Sequence, residues 1–81
     1  MVDLQDIMET LALIEQDMSV PKNIRTRVKS AIIVLTEQPP STINVAFDKV
    51  IQELDELNED PNVPVYTRAQ IWSVVSSLES R

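Results

Sequence analysis

The chain says one thing twice. Asp17 to Arg25 reads DMSVPKNIR and Asp60 to Arg68 reads DPNVPVYTR, so both follow the frame Asp-x-x-Val-Pro-x-x-x-Arg, 43 residues apart. At that offset Leu11, Ser30 and Leu35 meet identical residues at Leu54, Ser73 and Leu78, while Ile7/Val50, Met8/Ile51, Ile14/Leu57, Val28/Ile71 and Ile32/Val75 keep apolar character. The pattern predicts two copies of one helix–turn–helix unit, each with an apolar face to bury.

The helical period within each copy supports this, because apolar residues recur at three- and four-residue spacing and no segment alternates as a strand would. Leu4, Ile7, Met8, Leu11, Ile14 and Met18 form the first stripe, with Asp3 placed to cap its helix. Ile24, Val28, Ala31, Ile32 and Leu35 form the second, which Pro39 and Pro40 end by removing N–H donors. Ser41 or Thr42 is the expected cap of the third, whose stripe is Ile43, Ala46, Phe47, Val50, Ile51, Leu54 and Leu57. The fourth runs from Pro64 to about Glu79 with Ile71, Val74, Val75 and Leu78, flanked by Trp72.

Eighty-one residues hold one domain, 1–81, with hairpins over 1–38 and 42–81 and a linker at 39–41. A core of this size supplies only about 3–5 kcal/mol, so the helices must pack efficiently or find a partner. The predicted class is all-α, a compact four-helix bundle of two αα-hairpins. Cysteine is absent and no apolar run reaches membrane-spanning length, which points to a cytoplasmic, non-membrane protein.

Physical reasons explain why the turn is what repeats. Pro21 and Pro64 suit the start of a helix and hold Val20 and Val63 extended, so each valine folds back onto its hairpin. Arg25 and Arg68 lie three residues before the core positions Val28 and Ile71, so their stems cover the stripe while the guanidinium reaches back to Asp17 or Asp60. These four residues are the expected turn clasps. An arginine held ready for a phosphate or carboxylate is the functional alternative.

A period near 43 resembles the helical HEAT repeat of about 40–47 residues. Two such units are too few for a solenoid, so the hairpins should close on each other or dimerise. The stretch LDELNEDPNVPVYTRAQIWSVVSSLE from Leu54 to Glu79, and SVPKNIR in the first turn, resemble uncharacterised protein family 0147 of archaea. That family often has histidine where this chain has Tyr66. The resemblance implies short, compact all-α proteins and no assigned activity.

The residue inventory argues against catalysis. There is no His, no Cys and no Gly, which removes the commonest general base, the strongest neutral-pH nucleophile and any phosphate-cradling loop. No cofactor or metal is expected, since Glu53 and Glu56 lie off the apolar stripe without a histidine beside them.

Charge instead runs against the helix dipoles. Lys22, Arg25, Arg27 and Lys29 crowd a helix start, while Glu56, Glu59 and Asp60 crowd a helix end. Alternating helix directions bring these two ends together and predict ion pairs between them. A nucleic-acid accessory role through the basic helix start is the alternative, opposed by a net charge of −6.

The favoured function is protein interaction, with an unidentified protein or a second copy as partner. Leu13 aligns with Glu56, Ile33 with Ser76 and Val34 with Ser77, so the first copy is apolar where the second is polar. Leu13, Ile33 and Val34, with Trp72 as neighbouring anchor, form the expected association surface.

Overall fold

A computed structural model describes residues 3–80, so positions 1, 2 and 81 of the two expected hairpins lie outside the described residues. Four helices follow in order: α1 (Leu4–Gln16), α2 (Lys22–Glu37), α3 (Ile43–Leu57) and α4 (Val65–Glu79), with a 3₁₀ turn at Pro40–Thr42 between α2 and α3. No strand occurs among the described residues. The protein is all-α, as its periodicity predicts.

Each helix touches the next, and α4 returns to α1, closing a ring. Short connections make neighbours antiparallel, so the α1–α2 and α3–α4 turns lie at one end of a bundle measuring 35 × 21 × 19 Å. One core runs through all four helices, built on Leu11, Ile14, Ile24, Val28, Leu54, Leu57, Ile71 and Leu78. Several buried positions fall in pairs 43 residues apart: Ile7 with Val50, Leu11 with Leu54, Ile14 with Leu57, Val20 with Val63, Ile24 with Thr67 and Val28 with Ile71.

Three local expectations are corrected. Met18 does not belong to the α1 stripe: the helix ends at Gln16, Asp17 is extended, and Met18 is 80% exposed. The Asp17 carboxylate causes this by accepting the Ser19 N–H at 2.9 Å, an alternative to continuing the helix. Thr42 stands at the α3 N-cap position, but neither it nor Ser41 supplies the expected side-chain cap. The Thr42 hydroxyl donates instead to Gln38 Oε1 at 2.7 Å, because the intervening 3₁₀ turn faces it back toward the linker. Pro21 and Pro64 occupy N-cap positions rather than the first helical residue, with extended ψ of 146° and 152°. Asp3 caps α1 as predicted, accepting from Gln5 and Asp6 N–H.

Candidate functional site

The two turns share a set of hydrogen bonds that involve the backbone. The Asp17 carboxylate accepts the Ser19 N–H and the Asp60 carboxylate accepts the Asn62 N–H, both two residues on. The Val20 and Val63 N–H groups donate to the carbonyls of Asp17 and Asp60, and Arg25 and Arg68 N–H to those of Pro21 and Pro64. Val20 and Val63 are buried beneath their turns.

Both arginines clasp their turns, but through backbone carbonyls and not through the aspartate carboxylates. Arg25 Nε donates to the Val20 carbonyl at 3.0 Å, and its Nη1 lies 3.6 Å from the Met18 sulfur. Arg68 donates to the carbonyls of Asn58 and Asp60. One oxygen of each carboxylate is taken by the local N–H, and the turn leaves carbonyls pointing at the helix start. Ser19 also gives its hydroxyl to Asp17 at 2.6 Å. That bond, followed by the Ser19 N–H, holds the Asp17 carboxyl below its ordinary range.

Of the opposed charge clusters, Arg27 and Glu56 form an ion pair. Arg27 on α2 donates to Glu53 at 2.8 Å and to Glu56 at 3.1 Å on α3, a fork spanning two helices. The bond to Glu53 pushes the Arg27 guanidinium above its usual value. Lys22, Arg25 and Lys29 face the other way, lining a hollow of about 170 Å³ between α1 and α2 with Glu15 and Thr26.

Larger grooves run along two opposite flanks. The α2/α3 groove, about 300 Å³, is lined on α2 by Ser30, Ala31 and Val34 and on α3 by Lys49, Val50, Gln52, Glu53 and Glu56. The α1/α4 groove, about 350 Å³, is lined on α4 by Ser73, Val74 and Ser77 and on α1 by Asp6, Ile7, Glu9, Thr10 and Leu13. Each lining residue of one stands 43 positions from a lining residue of the other.

This geometry scatters the expected association surface. Leu13 is 62% exposed in the α1/α4 groove, while Val34 is half-buried against the core in the α2/α3 groove on the opposite flank. Ile33 is exposed on α2, and Trp72 is exposed on α4. Neighbouring residues in sequence part company here because one step along a helix turns about 100°, enough to move Val34 off the outer ridge that Ile33 occupies. Sequence reasoning missed the exposure of Met18, Val65 and Tyr66 at the clasped end, and missed Gln70, whose Oε1 is shielded from water and accepts no hydrogen bond. The offset of 43 was the available signal for Gln70, since it pairs that position with Arg27.

The sequence profile of an uncharacterised protein family, UPF0147, matches residues 2–80. The chain belongs to this family. It is 40% identical over 82 residues to the UPF0147 protein MJ1419 of Methanocaldococcus jannaschii, covering 93% of this chain and 84% of that one. It is 38% identical over 74 residues to a UPF0147 protein of Methanothermobacter thermautotrophicus, covering 91% and 72%. A crystal structure of a UPF0147 protein from Thermoplasma acidophilum superposes with a TM-score of 0.88 at 31% identity, over 95% of this chain and 89% of that one. The crystal structure of the unknown-function protein MMP1188 gives 0.86 at 40% identity, over 96% and 88%. UPF0147 is a family of unknown function, as the resemblance implied, and its members are archaeal in both sequence relatives named. No described helix is long and apolar enough to cross a membrane.

Proposed function

We propose that the protein catalyses no reaction and acts as a small cytoplasmic helical module that docks onto another protein through the end bearing its two clasped turns. One observation carries this reading. Met18, Val65 and Tyr66 are 80%, 83% and 73% exposed, more than any other large apolar side chain among the described residues, and all three lie at that end. Met18 and Tyr66 are adaptable and amphipathic side chains of the kind that anchor interfaces. Arg25 and Arg68 stiffen the turns beneath them, which lowers the ordering cost of docking. The lack of His and Cys supports a non-catalytic role. The matching turns support reading the two hairpins as copies of one unit.

The test places a photoreactive amino acid at position 66, and separately at the exposed Gln52 on α3, in protein expressed in its source organism. Discrete protein adducts from position 66 and none from position 52 are expected. Equal labelling from both, or none from 66, rejects this docking end.

A second reading, association with nucleic acid, has its own observation. Four of the seven basic residues fall between Lys22 and Lys29, and three of them line one hollow. Oligonucleotide binding that weakens steeply with salt and is lost in Lys22→Ala/Lys29→Ala would favour it over protein docking.

A further inference from the structure

Helix α4 is apolar on its outer side as well as its inner one. Its inner face places Ile71, Val74, Val75 and Leu78 in the core. Its outer ridge, at spacings of three and four residues, is Val65, Ala69, Trp72 and Ser76, all exposed. Trp72, the single tryptophan of the chain, is 61% exposed on that ridge. A helix that is apolar on both sides is ordinarily covered on both. The first hairpin shows that the fold does not demand this, because the equivalent ridge of α2 reads Lys22, Thr26, Lys29 and Ile33.

Charge and spacing together point to what covers the ridge. The chain carries a net charge of −6, so two copies repel wherever their carboxylates meet. Helix α4 has fewer charged side chains than α1, α2 or α3, and none between Ala69 and Leu78. Its Arg68 directs the guanidinium at the carbonyls of Asn58 and Asp60. Leu13 and Ile33, by contrast, have charge beside them: Leu13 shares its groove with Asp6 and Glu9, and Ile33 stands between Lys29 and Glu37, each four residues away. The α4 ridge is also complementary to itself. Val65 and Trp72 stand four and three residues to either side of Ala69, the smallest side chain of the ridge. A second α4 running antiparallel and crossing at Ala69 therefore sets each Trp72 over the other copy's Val65, while two alanines on the axis let the backbones approach. This is the reciprocal pattern of a two-fold interface.

We propose that the outer ridge of α4 is a self-association surface, on which the same ridge of a second copy packs antiparallel about a two-fold axis at Ala69. It goes beyond the docking end of the bundle, with which it shares Val65 alone.

The test is sedimentation of the intact chain over a concentration series, with Trp72 fluorescence read alongside. Mean mass should rise from one chain toward two and no further, the emission should move to the blue along the same curve, and added salt should strengthen the association by screening the net charge. Position 69 meets its own copy, so Ala69→Lys and Ala69→Glu should each stay monomeric with a melting curve close to the parent's, and an equimolar mixture of the two should form a dimer again. A photoreactive amino acid at position 69, in protein expressed in its source organism, should give adducts of twice the chain's mass. A parent that is monomeric at every concentration and salt, assemblies that grow past two, single charge variants that still dimerise, a mixture that does not, or adducts at position 69 with a different protein would each overturn the proposal. The position 69 variants leave Met18, Val65 and Tyr66 in place, so labelling from position 66 reads the docking end separately.

Discussion

Thr67 is the one buried polar residue among the described residues, and its hydroxyl has no hydrogen-bond partner. Burial of an unpaired hydroxyl is unfavourable, and the position 43 residues earlier is Ile24, which is apolar and equally buried. Thr67→Val should therefore raise stability by about 1 kcal/mol. Urea denaturation reads this as a higher midpoint with an unchanged slope. Asp17 makes a different kind of prediction because its folded pKa is lowered by Ser19. A carboxyl of this type contributes stability that is present above its unfolded value, about 3.9, and is lost as pH falls through the lower folded value. Ser19→Ala should destabilise the protein at neutral pH, and the difference from the parent should close as the solution is acidified below that range. A difference that persists unchanged in acid would mean that the serine hydroxyl acts through something other than the Asp17 charge.

Between elements, the turns and the fork divide the contacts that fix helix to helix. Arg68 makes two bonds to turn carbonyls where Arg25 makes one and a weaker contact to sulfur. Arg68→Ala should cost about 1–2 kcal/mol and Arg25→Ala less, since part-buried carbonyls are left without a charged donor. The Arg27 fork is partly exposed, so a double-mutant cycle between Arg27 and Glu53 should give no more than about 1 kcal/mol. Much of this layer is legible in sequence, and the part that is not has a physical cause. Stripes, the end of α2 before Pro39 and the pairing of Arg27 with Glu56 follow from spacing and charge alone. Met18 escapes because its spacing continues the stripe while the Asp17 side chain, three atoms long, diverts the backbone. Val34 escapes because burial on a helix flank depends on which neighbour packs there, and Val34 packs against the core beside a groove that Lys49, Val50 and Glu53 of α3 also line. The clasps are legible in their residues and not in their atoms: a carboxylate looks like the natural target of an arginine, but here each carboxylate caps its own turn through one oxygen and the arginines take carbonyls instead.

At the scale of the molecule, one core draws on all four helices, and the ring closes only when α4 meets α1. Neither hairpin owns a core. Residues 1–39 carry Ile7, Leu11, Ile14, Ile24, Val28 and Leu35, whose faces are covered in the bundle by Val50, Leu54, Leu57, Ile71 and Leu78 of the other half. Separated, each half would expose that surface to water, and helices of 13 to 16 residues are marginal alone. Fragments 1–39 and 40–81 should each show little helix by circular dichroism and no cooperative thermal transition. Mixed in equal amounts they should regain helix, because the contacts across α2/α3 and α1/α4 need no continuous chain, only the entropic cost of association must be met. Recovery should then depend on concentration, and Leu54→Ala in one fragment should weaken it by the amount typical of a buried leucine, about 2–5 kcal/mol. A fragment that melts cooperatively alone would show a hairpin with a core of its own, and mixtures that stay unfolded would show that the linker at Gln38 to Thr42 holds the halves together more than their buried faces do.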